Sequence, residues 1–200
     1  MLETDSLEYE TLTEAVTMIQ DVPGFTCEIG IRRGGGSEII MRQLDHTNQK
    51  NRIHIGIDPY GNIDYETAQD VFYRYGYSNP MFYEAMVGLY SLASELNQHF
   101  LFFPLEDVEF FNRYSLGVPV YRDSKSIENQ YALVHFDGPH AFEPVKNEFI
   151  FFSTRCQPGS VFVFDDIGNY PHDELENQFL FPQKWRLLRK GNTKALYVKE

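Results

Sequence analysis

Basic residues are in short supply: 17 Lys and Arg stand against 29 Asp and Glu, a net charge of −12. A chain this acidic is repelled by phosphate backbones and anionic membranes, so a nucleic-acid or membrane partner is not expected. Cysteine is nearly absent. Cys27 and Cys156 are far apart and make neither a disulfide framework nor a zinc site. They read as buried thiols of a reducing compartment. No apolar run approaches the ~18 residues of a membrane-spanning helix. The stretch Met1-Leu2-Glu3-Thr4-Asp5 lacks the basic and apolar regions of a signal peptide. Repeats and low-complexity segments are missing too. These absences point to a cytoplasmic protein and leave open a small ligand, a cation or a metal.

What is present is globular. Hydrophobic residues make up 42% of 200, and 17 Phe and 13 Tyr supply a large core. The length favours one domain over 1–200. Helical spacing covers Leu7 to Ile19 and the segment from Ser37 through Leu44, and an amphipathic helix runs from His140 to Ser153. Short apolar strands fall at Phe25 to Ile31, Ile53 to Ile57, Phe100 to Phe103, Tyr131 to Phe136 and Val161 to Phe164. Residues 62–99 read as a helical, aromatic-rich insertion, Glu106 to Tyr114 as a short helix, and Ser115 to Ser126 as a loop. A short helix near Asp173 to Phe179 precedes two closing strands, near Trp185 to Arg189 and Lys194 to Val198. Strands alternating with helices predict an α/β fold: a Rossmann-like, mostly parallel, seven-stranded sheet with helices on both faces and a C-terminal antiparallel hairpin.

In such sheets ligands sit outside the carboxyl ends of the strands, and the polar signals gather there. Glu28-Ile29-Gly30 leads into Gly34-Gly35-Gly36-Ser37, a glycine turn opening a helix whose free N–H groups suit an anion. No Lys precedes Ser37, so this is not a Walker loop. Asp58 ends the second strand, 28 positions after Gly30, where an acid can accept ribose hydroxyls. Asp137, Asp165 and Asp166 end the fourth and fifth strands. Three adjacent carboxylates repel one another unless a hard cation such as Mg²⁺ neutralises them, although each could instead cap the following turn. His140 follows Asp137 by three residues and can serve as a general base. Neighbouring carboxylates would raise its pKa. His135, inside a strand, reads as structural.

These motifs, taken as Glu-Ile-Gly-x-x-x-Gly-Gly-x-Ser, Gly-Ile-Asp-Pro-Tyr, Asp-Gly-x-His and Pro-Gly-Ser-Val-x-Val-Phe-Asp-Asp, resemble the class I S-adenosylmethionine-dependent methyltransferases. The nearest branch is the metal-dependent O-methyltransferases of sugars and antibiotics. The resemblance implies that Glu28, Gly30, Gly34, Gly35, Gly36 and Ser37 hold the methionine part of S-adenosylmethionine. It implies that Asp58 and Tyr60 lie at the ribose, and Glu106 or Asp107 at the adenine end. Asp137, Asp165 and Asp166 would bind Mg²⁺ or another hard divalent cation, His140 would be the base, and the acceptor would be a small molecule or sugar hydroxyl. Pro139, the tyrosine-rich stretch and the 115–126 loop depart from the pattern. Two other readings fit the same residues: a non-catalytic nucleoside-binding partner subunit, and a metal-dependent tailoring enzyme that transfers no methyl group. The aromatics of 62–99 suit packing or a homo-oligomer interface better than a lid.

Overall fold

A computed structural model describes residues 2–4, 6–61, 63–66 and 74–200, without the side chains of 63–66 and 74–76. Its centre is a seven-stranded sheet built from β1 (Phe25–Ile29), β2 (Ile53–Ile57), β5 (His99–Phe103), β8 (Tyr131–Phe136), β9 (Val161–Phe164), β10 (Trp185–Lys190) and β11 (Ala195–Lys199). The order is β10-β11-β9-β8-β1-β2-β5. The five strands from β9 to β5 run parallel, and β11 inserts antiparallel between β9 and β10. The expected sheet and closing hairpin are therefore present. Every residue of β1, β2, β8 and β9 is buried, because helices cover both faces.

The two faces differ in chemistry. Phe25, Cys27 and Ile29 of β1 point towards α4 (Asp107–Arg113) and α5 (Phe142–Ser153), into a core of Phe110, Phe149, Phe152, Phe162 and Trp185. Trp185 stacks on Phe162 with ring centroids 3.7 Å apart. The aromatic surplus of the sequence is largely spent here. Strand alternation sends Thr26 and Glu28 to the other face. There α1 (Glu10–Met18) and α2 (Gly35–His46) bury Leu12, Val16, Ile40 and Leu44 against Leu133, Val161 and Leu196. Beside them α3 (Asn79–Leu96) packs Leu89 and Leu92 on Met41 and Phe100. No helix among the described residues is long and apolar enough to cross a membrane.

Two expectations fail locally. Residues 62 and 67–73 lie outside the described residues, and among the described residues of 62–99 the helical reading holds for α3 alone. Before it, β3 (Ile63–Glu66) pairs antiparallel with β4 (Arg74–Tyr77). Ile63 and Tyr65, then Tyr75 and Tyr77, recur every second residue, which is a strand period. Tyr65, Phe72, Tyr73 and Tyr75 have side chains outside the described residues. The supposed loop Ser115 to Ser126 holds a second hairpin, β6 (Val118–Tyr121) with β7 (Lys125–Glu128). Val118 and Val120 are buried in alternation with Pro119 and Tyr121, a pattern the proline disguises. Near the end, α6 (His172–Leu175) runs into a π-helical turn, Glu176–Leu180.

The described residues before α1 are tied down at several points. Leu2 lies against Gly34 and Gly88, its amide donates to Glu38, and Glu3 pairs with Arg33. Glu8 accepts from the backbone N–H groups of Asn192, Thr193 and Lys194 at 2.9, 3.1 and 3.0 Å. Those bonds hold its carboxyl down at about 2. A carboxylate with a depressed folded pKa stabilises the fold above its unfolded value of 4.5, and the gain is lost as pH falls towards 2. Glu8→Ala is expected to lower stability at pH 7 by about 1 kcal/mol, solvent screening keeping the effect small. The deficit shrinks in urea melts at pH 3, and a deficit unchanged by pH would rule the carboxylate out as the cause.

Candidate active site

A crevice opens at the carboxyl ends of the parallel strands, where the order reverses between β1 and β8. Its walls come from Ile29 and Gly30 after β1, Asp58 after β2, Asp107 at the start of α4, and the turn Gly138-Pro139 after β8. About 310 Å³ of empty space lies within it, mouth included. Gly30, at φ +84°, closes the gap between β1 and β8, since a Cβ there would sit 2.0 Å from the Asp137 carbonyl oxygen. A second hollow, of about 740 Å³, lies at the amino ends of β1 and β2. There Arg52 is occupied with the carbonyls of Ile19, Val22 and Gly24.

Asp58 is the most exceptional group in the crevice. It is 2% exposed. Its Oδ2 accepts from the Arg32 N–H at 2.8 Å, while its buried Oδ1 has no partner. Burial, and to a lesser degree the charge of Glu28, push its pKa up to about 7 against the pull of backbone N–H bonds. An unsatisfied buried acceptor of this kind calls for a ligand donor. Asp107 lines the same crevice, whereas Glu106 is exposed, so the choice between these acids falls to Asp107. Tyr60 does not line it. Its hydroxyl donates to the Arg32 carbonyl, and its ring packs on Tyr77, Phe82 and Phe102, so it braces the loop from the side.

The glycine loop is held from beneath. Thr26 Oγ1 lies 3.0 Å from His54 Nδ1, and His54 Nε2 lies 2.8 Å from Ser37 Oγ. Ser37 donates to one oxygen of Glu28, and His135 Nδ1 reaches the other at 2.8 Å. All five side chains are fully buried. Burial drives His54 down to about 3, so it is neutral and the chain of bonds has one direction, from Thr26 through His54 and Ser37 to Glu28. A Cβ on Gly36 would fall 1.9 Å from Glu28 Oε1. Gly34 and Gly35 instead face residues 2–4. Glu28 and Ser37 thus shape the loop, and the structure does not bring their side chains to the crevice wall.

The three aspartates meet different fates. Asp165 is 1% exposed, and Lys194 Nζ, itself fully buried, pairs with its Oδ2. Ser6 Oγ donates to the same oxygen at 2.6 Å, and the Asp166 N–H donates to Oδ1 at 2.8 Å. Burial raises the pKa of Asp165, but the surrounding charges and hydrogen bonds, led by the Lys194 ammonium and including the Ser6 hydroxyl, together outweigh it and keep the group below its ordinary value. Both oxygens are occupied and the neutralising charge is an ammonium. The three-carboxylate cation site does not fit these residues as they stand. Among the described residues, the acid and imidazole group with ligand-like spacing is Glu28, His135 and Asp137, with ligand atoms within 4.8 Å of one another. It shares only Asp137 with the expected triad, and its Glu28 and His135 already bond each other. Sequence reasoning missed Lys194 here, although a lysine directly before the apolar run Ala-Leu-Tyr-Val of the closing strand is a visible signal.

His140 stands between the crevice turn and Asp166, its Nε2 3.4 Å from Asp166 Oδ2. Helix α5 begins only at Phe142, so His140 sits on the turn before it rather than in its first turn. Burial lowers its pKa, against the raising pull of Asp166 and Asp165. The expected upward pull of the carboxylates is present, and burial outweighs it. The imidazole is neutral at pH 7, the form that can accept a proton.

Residues 27–167 match the model of a family described as a methyltransferase domain, and the chain belongs to that family. It is similar in structure to the calicheamicin methyltransferase CalS11, at 18% identity and a TM-score of 0.70, covering 95% of this chain and 77% of that one. The O-methyltransferase NovP matches at 16% identity and a TM-score of 0.62, over 96% and 78%. An O-methyltransferase from Bacillus cereus in complex with SAH matches at 11% identity and a TM-score of 0.63, over 98% and 83%. No curated protein matches the sequence at a significant level.

Asp58 carries the sharpest consequence for stability. A carboxyl whose folded pKa is raised costs stability once ionised, so the ligand-free fold weakens as pH rises from about 4 towards 7. Asp58→Asn is expected to be more stable than the wild type at pH 8, by up to about 4 kcal/mol, and close to it at pH 4. Urea melts at the two pH values decide this, and a variant less stable at pH 8 would show that Asp58 is compensated there.

Proposed function

We propose that the protein transfers a methyl group from S-adenosylmethionine to a hydroxyl of a small molecule or sugar. One observation carries the reading: the partnerless, buried Asp58 Oδ1 facing a crevice at the switch in strand order. A ribose hydroxyl supplies the donor it lacks. Gly30 gives the close backbone approach, and the loop Gly34 to Gly36, shaped by Glu28 and Ser37, lies at the methionine end. When bound, the cofactor supplies an electrophilic methyl group on a sulfonium.

The chain's own work is to hold the acceptor and take its proton. His140, which follows the crevice-lining turn Gly138-Pro139 directly, would accept it in its neutral form, and Asp166, 3.4 Å away, would orient the ring and stabilise the imidazolium that forms. Asp58→Ala is expected to weaken calorimetric binding of S-adenosylhomocysteine by roughly 1.5–3 kcal/mol. His140→Ala cuts turnover by about 10²–10⁴-fold with little change in that affinity. Unchanged affinity in folded Asp58→Ala would remove the nucleoside assignment, and near-normal turnover in His140→Ala would leave another group as the base. Turnover that depends on added Mg²⁺ in wild type and in Asp165→Asn alike would place any cation away from Asp165.

The acceptor side and the subunit state belong to the same proposal. Tyr83, Val87 and Tyr90 form an exposed apolar row along α3, 63%, 68% and 48% exposed. The row continues the 62–99 region and supports self-association through it. Val87→Glu is expected to shift sedimentation towards the monomer without changing cofactor affinity. A wild type that is monomeric at high micromolar concentration excludes this interface.

A further inference from the structure

Behind the crevice lies an acid that the reaction above does not use. Glu148, on α5, is fully buried, and neither of its carboxyl oxygens has a hydrogen-bond donor. It adjoins the crevice turn, since a Cβ added to Gly138 would sit 3.4 Å from its Oε1. Across from it is Asp107, whose Oδ1 accepts from the Val108 N–H at 2.7 Å and whose buried Oδ2 also lacks a donor. The neighbouring titratable groups Cys27 and Tyr170 are kept protonated by burial and bring no positive charge. Among the described residues no lysine, arginine or histidine pairs with Glu148.

Two buried carboxyl groups facing each other without a cation can be satisfied by one shared proton. Burial, then the charge of Asp107, drives Glu148 far above the carboxyl range. Asp107 is raised by burial, but the Val108 N–H and a hydrogen bond from Glu148 pull the other way. Both groups are raised, and a single proton held on Glu148 would let its O–H donate to Asp107.

We propose that Glu148 is a positioning residue that shares one proton with Asp107 and fixes the Asp107 carboxylate so that it offers an acceptor to an amino-bearing purine edge in the crevice. The proposal rests on the adenosyl reading for its ligand and on Gly138, Asp107 and Glu148 for its geometry. Glu148 touches no substrate and acts through Asp107.

The test compares wild type, Glu148→Gln and Glu148→Leu. Calorimetry is run with S-adenosylhomocysteine and with S-inosylhomocysteine, whose purine carries an oxo group in place of the amino group. Wild type should prefer the adenosyl compound. Glu148→Gln, whose amide still donates to Asp107, keeps that preference within about threefold, whereas Glu148→Leu loses roughly tenfold of it. A purely structural role would lower the melting temperature of both variants and leave the preference alone, and that result overturns the proposal. So does a loss in Glu148→Gln as large as in Glu148→Leu. Infrared spectra of the ligand-free proteins give a second readout, which also serves if Glu148→Leu does not fold. Wild type at pH 7 should show a protonated-carboxyl band that Glu148→Gln lacks, and identical spectra overturn the proton-sharing pair. A wild type that shows the band but binds neither nucleoside overturns the adenosyl reading and leaves the pair standing.

Discussion

The carboxylate of Glu28 is the constraint around which the ligand end of the sheet is organised. It sits inside the molecule and takes one bond from Ser37 at the start of α2 and one from His135 on β8. Through Ser37 and His54 it also reaches β2. Three neighbouring strands and one helix are thereby fixed at the level where the glycine loop turns. A half-satisfied buried network of this kind is worse than an apolar one, so loss of any member exposes the cost of the rest. This explains why Gly36 tolerates no Cβ: the space is filled by a Glu28 oxygen.

The loop above the network carries out binding while the network carries out shaping. Side chains that look like ligand contacts in the sequence, Glu28 and Ser37, are withdrawn beneath the surface. The groups that do face the crevice include backbone at Gly30 and Gly138 and the acids Asp58 and Asp107. Burying acids beside a ligand crevice costs stability in the empty protein, and the same desolvation makes each hydrogen bond to a ligand stronger.

The sequence made the sheet legible because fully buried parallel strands are short apolar runs, and β1, β2, β8 and β9 are such runs. The acids that follow them were visible for the same reason: they break those runs. Less legible were the two hairpins. Their strands are four residues long, and Pro119 interrupts one. Partnership was also hidden. Asp165 reads as one of three like charges until Lys194, distant in sequence, is brought beside it by β11. Glu148 gives no signal in the sequence beyond its place in an amphipathic helix. Only the packing of α5 against Gly138 and α4 reveals that it points inward.

The Asp165 and Lys194 pair has a consequence for the order in which the molecule can be completed. The two residues are 29 positions apart, and Ser6, which bonds both, lies 159 positions before Asp165. Without the last hairpin β9 would be an edge strand paired with β8 alone, ending in an acid with no Lys194 to neutralise it. That edge cannot close on an apolar partner without burying a bare carboxylate. The same charge that guards the half-made chain against premature closure becomes, once β11 slides in beside β9, the point that draws the first and last segments together.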